Sequence, residues 1–205
     1  MKYNNLGGEK KVKFKDGSMY EYEILKLTDP YNPILKQKLE LFDFEDPPVA
    51  PKYLAISLVE TMVKYRGVGL SANQVGLPYR VFVMGAENVG FACFNPEILE
   101  VKGEETFEEG CLSFPGLFLP IKRPSTIKVR YTDFNKVTKE ETFSGFTARI
   151  FLHEYDHMEG SIYTSLVSPL HLERAKGKVK SNIKKLQREK ARIDLQNKIE
   201  KKGIK

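Results

Sequence analysis

The residues most capable of chemistry are the two histidines and the glutamate of the run HEYDH, residues 153–157. On a helix, positions i and i+4 lie on one face, so His153 and His157 can bind one metal ion. Glu154 then lies beside that metal, where its carboxylate can take a proton from an activated water. The chain has only three histidines, and two of them stand in this pattern. The pattern therefore predicts a metal site rather than a solvated helix with incidental histidines.

The third ligand decides the class of enzyme, because two imidazoles leave a catalytic site incomplete. The longer run HEYDHMEGSIY follows the metzincin string HExxHxxGxxH as far as Gly160, but it has Tyr163 in place of the final histidine. Tyrosine, with a pKa near ~10, is a poor metal ligand at neutral pH. Cys111, which follows Glu109-Gly110, is the better candidate, since a thiolate completes a His/His/Cys set with one open position. The alternative for Cys111 is a small buried hydrophobe.

Short strands and three helices must position these residues. Apolar residues at helical spacing predict a helix from Val49 to a cap at Gly67, and a second helix, residues 145–157, carries HEYDH. Ser168-Pro169 begins a final helix, which is weakly specified past Lys176. Strands are expected at residues 12–14, 19–25, 80–84, 91–94, 126–131 and 137–143. The predicted fold is α+β, with antiparallel sheets packed around a central HExxH helix and a C-terminal helix.

Length and composition describe one ordinary domain. The chain has 205 residues, of which 41% are hydrophobic and 29% charged, as in soluble globular proteins. No run approaches the ~18 apolar residues of a membrane span, and the N-terminus lacks the apolar core of a secretory signal. Two cysteines, Cys93 and Cys111, fit a reducing compartment. The expected location is the cytoplasm, with no membrane partner.

Positive charge is concentrated at the C-terminal end. Residues 171–205 carry thirteen Lys and Arg against four Asp and Glu, a net charge of +9 in a chain whose total is +6. Such an arm commonly meets an acidic partner, most often nucleic acid. A solvated tail that keeps the protein soluble is the alternative. Nothing in the arm predicts sequence-specific binding of nucleic acid.

Three segments together resemble the motifs of one enzyme family. GVGLSANQ (67–74), EGCLS (109–113) and HEYDH (153–157) resemble the three motifs of the peptide deformylases, in the same order and at similar spacing. The resemblance covers about residues 22–170, since ILKLTDPYNPIL also resembles the family's opening segment. It leaves residues 1–21 as an N-terminal extension with a hairpin, and 171–205 as a basic C-terminal helix or tail. The implied function is removal of the formyl group from the N-terminal methionine of new polypeptides.

The resemblance also implies a role for each site residue. The implied ligands of one divalent metal ion, Fe(II) first with zinc, nickel or cobalt as alternatives, are Cys111, His153 and His157. Glu154 would be the general base and then the general acid toward the leaving amine. Gln74 and the backbone N–H of Leu112 would bind the oxyanion, for which one amide and one backbone donor suffice. The implied substrate-binding residues are Val68, Gly69, Gly110, Arg149 and Ile150.

Three positions depart from what is common in similar enzymes. Ser71 stands where alanine is common, and this exchange of small residues is expected to be harmless. Leu152 stands in place of glutamine, so a hydrogen bond to a ligand is either missing or supplied elsewhere. Arg149, one helical turn before His153, replaces an aliphatic residue of the methionine pocket. Its stem is expected to line the pocket with the guanidinium reaching water, which puts strict methionine preference in doubt.

Two other functions compete with deformylation. A zinc endopeptidase would use the same HExxH helix, but its third ligand would have to be Glu159, Glu173 or Glu189, none of which has a supporting context. A binding module with a structural zinc would need four protein ligands, and only three credible ones are present. The expected partners are therefore N-formyl-methionyl peptides and, through the basic tail, the ribosome. Similar enzymes are thought to use their C-terminal helices in that way.

Overall fold

The computed structural model describes residues 10–13, 19–86 and 89–201, and the side chains of 19–85 and 90–196. It confirms the predicted α+β class. The strands are β1 (Lys10–Lys13), β2 (Met19–Tyr22), β3 (Gly69–Ser71), β4 (Val81–Ala86), β5 (Val89–Lys102), β6 (Glu105–Cys111), β7 (Phe114–Arg123), β8 (Thr126–Thr132) and β9 (Thr138–Ser144). The helices are α1 (Pro51–Lys64), α2 (Gly145–Met158) and α3 (Pro169–Lys201).

All strand pairs between these elements are antiparallel. The largest sheet has five strands in the order β3-β4-β5-β8-β9, while β1–β2 and β6–β7 form two separate two-stranded sheets. The strand β3 lies at the edge of the large sheet and pairs with β4 on one side. The motif segments at residues 67–74 and 109–113 thus belong to different sheets, and the helix that carries HEYDH must lie between them.

Side-chain alternation along β4 places that helix. Val81 and Val83 pack in a hydrophobic cluster with α1, whereas Phe82 and Met84 pack with Phe151 of α2 in a second cluster. Because successive side chains of a strand point to opposite faces, α1 and α2 cover opposite faces of the large sheet. The other side of α2 meets the hairpin β6–β7. The HExxH helix is therefore central, as predicted.

Several predicted boundaries hold and others do not. The β1–β2 pairing confirms the N-terminal hairpin, although Phe14 and the turn at residues 15–18 lie outside the described residues. Helix α1 ends at Lys64 rather than at a Gly67 cap, because Arg66 takes the left-handed conformation with φ 59°. The hairpin β6–β7 was not predicted, since the sequence ETFEEGC has charged residues on both of its faces and no apolar alternation.

The predicted C-terminal helix α3 is continuous to Lys201 and packs against β7, well past Lys176, beyond which the sequence specifies it only weakly. A third hydrophobic cluster joins Leu119 and Tyr163 to the first turns of α3. Further along the helix, the side-chain amide of Asn182 donates to the carbonyl of Gly116 at 2.9 Å. In the described part of the chain, no helix is long and apolar enough to cross a membrane.

Gly116 permits this close approach of α3. Its φ is +79°, and a Cβ atom there would lie 2.8 Å from Cγ1 of Ile183 and 3.1 Å from the carbonyl oxygen of Val179. Both distances are shorter than an ordinary van der Waals contact. The backbone conformation and the contact with α3 therefore each require glycine.

We predict that Gly116→Ala lowers the free energy of unfolding by about 2–4 kcal/mol, since backbone strain and collision with α3 add. Gly145→Ala is the matched control, because Gly145 has φ +57° but nothing within 4 Å of a Cβ. Gly145→Ala should lower the free energy of unfolding by about 1 kcal/mol, from backbone strain alone. Urea unfolding measures both, and equal losses would contradict close packing of α3 at Gly116.

Candidate active site

The three predicted ligand residues come together. Cys111 ends β6, while His153 and His157 lie one turn apart on α2, and their donor atoms all lie within 4.8 Å of one another. The Sγ atom of Cys111 is 3.4 Å from Nε2 of His157. Among the residues whose side chains are described, this is the group of His, Cys, Asp and Glu that could hold a metal ion.

The donor set fits a transition metal. One thiolate and two imidazoles suit zinc or iron, and three ligands leave a position open. The Nδ1–H of His153 donates to Glu109 at 2.9 Å, so Nε2 is the nitrogen left for a metal. Burial would lower the pKa of His153, but bonds to Cys111 and Glu109 raise it well above its usual value, so metal binding must displace a proton from Nε2. Burial, with the nearby positive charges of His153 and Arg123, holds the pKa of His157 well below its usual value. His157 is therefore neutral and has a lone pair to offer.

Tyr163 is placed where it cannot serve as the third ligand. Its hydroxyl donates to the carbonyl oxygen of Leu117 at 2.8 Å, and the side chain is buried. Burial, together with the charges of Cys111 and Glu109, raises the pKa of this phenol. A phenolate at this position is thus doubly unfavourable, and the metzincin pattern has no structural counterpart here.

Glu109, which the sequence analysis did not single out as functional, is at the centre of a buried ionic network. Arg123 binds both of its oxygens, with Nε to Oε1 at 2.6 Å and Nη2 to Oε2 at 3.0 Å. Arg149 donates to Oε1 at 2.8 Å, and His153 donates to Oε2. Arg123 also bonds Asp156 of α2 at 2.7 Å. The carboxylate therefore joins β6, β7 and α2.

Arg149 does not reach water, so that expectation is wrong. The side chain is only 3% exposed. Besides Glu109, its guanidinium binds the carbonyl oxygens of Ile121 at 2.9 Å and Glu105 at 2.6 Å. It also lies over the ring of Phe107, 5.2 Å from the centroid. An anionic carboxylate and two carbonyls inside the protein replace the hydration of its two Nη groups, while its buried Nε has no partner among the described residues.

Glu154 lies against the edge strand β3. Ser71 Oγ donates to its Oε2 at 2.6 Å. A Cβ atom at Gly69 would collide with its Oε1, so the carboxylate packs directly on the glycine backbone. Burial raises the pKa of Glu154, although the charge of His153 and the bond from Ser71 partly oppose this. The exchange of alanine for serine thus gives Glu154 a partner that the sequence analysis did not anticipate.

Gln74 is held with its amide nitrogen toward the ligand group. The backbone N–H of Ser71 donates to its Oε1 at 2.9 Å. Its Nε2 then donates to Cys111 Sγ at 3.3 Å and to Ser113 Oγ at 3.0 Å. Leu112, whose N–H is the second expected oxyanion donor, directly follows Cys111 in the chain. Both expected donors are therefore next to the same ligand.

Two backbone edges flank the ligand group. The carbonyl of Val68 accepts from Gly85 N–H at 2.9 Å, so by antiparallel alternation the polar groups of Gly69 face the open edge of β3. Gly110 is exposed at the point where the β6–β7 register shifts. Ile150, the remaining expected substrate contact, is partly buried against the second hydrophobic cluster.

The two histidines differ in the hydrogen bonding of their Nδ1 atoms, and Leu152 contributes to neither. The leucine is 6% exposed and packs in the second cluster, while Glu109 supplies the hydrogen bond to His153. Nδ1 of His157 has no hydrogen-bond partner within the described part of the chain. The carbonyl of His157 accepts from Asn73 at 2.9 Å, so its backbone is fixed although its outer ring nitrogen is not.

Comparison with known proteins identifies the family of the chain. The family model for polypeptide deformylase matches residues 22–173. The chain belongs to the polypeptide deformylase family. All three motif segments, at residues 67–74, 109–113 and 153–157, fall inside the matched range.

Individual relatives support the deformylase assignment. A peptide deformylase of Thermotoga petrophila is 49% identical over 113 residues, which cover 55% of this chain and 69% of the relative. The crystal structure of a peptide deformylase from Legionella pneumophila has a TM-score of 0.71 at 32% identity, covering 80% of this chain and 97% of that one. The crystal structure of a peptide deformylase from Synechococcus elongatus in complex with actinonin has a TM-score of 0.68 at 30% identity. The match covers 75% of this chain and 85% of that one.

The Glu109 network predicts a pH-dependent contribution to stability. Burial alone would raise the pKa of Glu109, but bonds from His153 and Arg123, the charge of Arg123 and a bond from Arg149 lower it to about 2. Because this lies below the unfolded value near ~4.3, the ionised network stabilises the fold above that pH. Its contribution is lost as the pH falls toward the folded pKa.

We predict that Glu109→Gln destabilises the metal-free protein most at pH 5–6. The difference from wild type should shrink by on the order of 2–3 kcal/mol as the pH falls toward ~2. Urea unfolding of both metal-free proteins across this range measures the difference, in which carboxylates that do not interact with Glu109 cancel. A difference that does not change with pH would contradict the lowered pKa of Glu109.

Proposed function

We propose that this enzyme hydrolyses the formamide of N-formyl-methionyl peptides to formate and a peptide with a free amine. One observation carries the proposal: the donor atoms of Cys111, His153 and His157 cluster within 4.8 Å, with Glu154 and Gln74 beside them in a chain of the deformylase family. The complex of the Synechococcus relative with actinonin supports ligand binding at such a fold.

The proposed cofactor is one divalent metal ion, with Fe(II) the first choice and zinc, nickel or cobalt as alternatives. Cys111, His153 and His157 would hold it. When bound, such an ion acts as a Lewis acid that makes water a nucleophile near neutral pH and polarises a carbonyl. The protein residues around it then direct the reaction.

In the proposed mechanism, Glu154 takes a proton from the attacking water as the oxygen bonds to the formyl carbon. The carbonyl oxygen gains negative charge and accepts hydrogen bonds from Nε2 of Gln74 and N–H of Leu112. Each such donor contributes about 2.7–4 kcal/mol to lowering the barrier. Glu154 then gives the proton to the departing nitrogen as the C–N bond breaks. The raised pKa of Glu154 suits both transfers.

The proposed substrate lies extended along the open edge of β3. The polar backbone groups of Gly69 can pair with a peptide as an added strand, and Gly110 offers a second backbone on the opposite side. The methionine side chain would lie toward Arg149 and Ile150 on α2. In this proposal, the buried guanidinium over the ring of Phe107 would form one boundary of the methionine pocket.

Glu154→Ala should keep the metal but lower formate release from formyl-Met-Ala-Ser by about a hundred- to ten-thousand-fold, since the water loses its base. The protein is purified anaerobically, its metal content is measured, and formate is assayed. Glu173→Ala is the matched control: this exposed carboxylate lies on α3 and pairs with Lys176 at the surface. Near-normal activity of the Glu154 variant would contradict the mechanism, whereas an inactive wild type would contradict the proposed reaction.

We further propose that the basic end of α3 holds the enzyme near ribosomes, where formylated chains emerge. The first turns of α3 pack on the catalytic domain through apolar side chains, and Asp194 pairs with Arg66 further along. Beyond Leu186, the basic residues Arg188, Lys190 and Arg192 are exposed to a partner. Residues 187–205 carry seven Lys and Arg against three Asp and Glu. Attraction to RNA phosphate would be mainly electrostatic and would fall steeply with salt.

A truncation after Leu186 should retain near-normal kcat/KM on formyl-Met-Ala-Ser, because it keeps Val179, Asn182 and the cluster that packs on β7. It should co-sediment less with ribosomes at low salt. The matched control is the full-length triple variant Arg188→Gln, Lys190→Gln and Arg192→Gln, which keeps the helix length and removes charge. Equal co-sedimentation of all three proteins would leave the basic end without this role.

A further inference from the structure

Ser71 occupies the last position of β3, wholly buried, opposite Phe82 in the β3–β4 register. Its hydroxyl lies 2.6 Å from Oε2 of Glu154 and 3.3 Å from the backbone oxygen of the same residue. A hydroxyl has one proton, and the shorter bond to the charged acceptor is the stronger one. Ser71 therefore donates to the carboxylate.

The two oxygens of Glu154 have different surroundings. The carboxylate is almost completely buried, and among the residues that the structure describes the Ser71 hydroxyl is its hydrogen-bond donor. Oε1 instead packs on the backbone of Gly69, where a Cβ atom would collide with it. One oxygen is thus held by a donor, while the other lies beside the backbone edge that faces the open side of the sheet.

Ser71 also reaches the second group of the proposed mechanism through its backbone. Its N–H donates to Oε1 of Gln74 at 2.9 Å, and this bond turns Nε2 of Gln74 toward Cys111. The side chain and the backbone of one buried residue therefore contact the proposed base and the proposed oxyanion donor. Replacement of the hydroxyl alone would leave this bond from the backbone N–H in place, although it would also remove the hydroxyl from the capping box that Ser71 forms with Gln74.

We propose that Ser71 is a positioning residue, whose hydroxyl fixes Oε2 of Glu154 so that Oε1 is the oxygen that takes the proton. This inference rests on the proposed function. The terminal torsion of a glutamate is broad and roughly two-fold, so without a donor either oxygen can turn toward the water and the carboxylate can tilt. A fixed carboxylate avoids that loss of alignment at each turnover.

The test compares wild type with Ser71→Ala on formyl-Met-Ala-Ser at equal metal content. We expect kcat to fall about three- to ten-fold, as for loss of one hydrogen bond that aligns a reacting group, with KM within about two-fold of wild type. Alanine is common at this position in similar enzymes, so the variant is expected to fold. Because Ser71→Ala keeps the backbone N–H, the contact with Gln74 remains.

A matched control is Ser57→Ala in α1. Ser57 is also buried, and its hydroxyl accepts from the N–H of Glu23 at 3.0 Å, away from the site. Its replacement should lower stability without changing kcat. A second measurement uses the Glu154→Ala background at high enzyme concentration. In that background, Ser71→Ala should have no further effect on the residual rate. If the role of Ser71 were purely structural, Ser71→Ala would lower the rate by the same factor with and without Glu154.

Each outcome separates this inference from the proposed function. A wild type that releases no formate overturns the proposed function, and this inference with it. An active wild type with an equally active Ser71→Ala variant overturns the inference alone. So does a rise in KM at unchanged kcat, or an equal loss of rate with and without Glu154. A fall in kcat that appears only when Glu154 is present supports it.

Discussion

The buried carboxylate of Glu109 is the constraint on which the arrangement of the site depends. Removing such a charge from water costs several kcal/mol unless good hydrogen bonds replace its hydration. Here Arg123, Arg149 and His153 supply them, from β7 and from two positions of α2. The need to satisfy one carboxylate therefore sets how α2 lies against the hairpin β6–β7. The separation of Cys111 from the two histidines follows from that packing.

A second constraint acts from the other side of α2. The large sheet fixes β3 through its register with β4, and β4 presents Phe82 and Met84 to the same helix. The helix is thus held between a polar contact at β6 and an apolar contact at β4. Glu154 can lie against Gly69 only because both contacts keep α2 close to the edge strand. Glycine at that position makes the last part of the approach sterically possible.

Most of the helices, strands and ligand residues were predicted from local sequence patterns. The spacing of His153 and His157 predicts a helix and a shared ligand, and Glu109-Gly110 before Cys111 indicates close backbone approach. Helical and alternating apolar residues placed the first helix and most strands of the large sheet, HEYDH marked the second helix, and the cap pair Ser168-Pro169 placed the start of the third. These signals are short in range, because each is contained within one turn, one strand or one motif.

The features that sequence reasoning missed depend on pairs far apart in the chain. Ser71 and Glu154 are 83 positions apart, and Arg149 and Glu109 are 40 apart. A buried arginine cannot be told from an exposed one until its acceptors are known, so the guanidinium of Arg149 was expected in water. The hairpin β6–β7 was missed because Glu108 and Glu109 differ in burial but not in type. One signal was available, since Glu109 directly precedes the Gly-Cys pair.

The two cysteines differ in how accessible they are to thiol reagents. Cys93 is fully buried among apolar side chains, and burial raises its pKa well above the usual value. Thiol reagents act on thiolates that they can reach, so alkylation of the folded protein is directed to Cys111, which is only partly buried. The number of modified thiols per chain then reports whether the ligand sulfur is free or engaged. Occupancy of the centre can be followed in this way without any measurement of turnover.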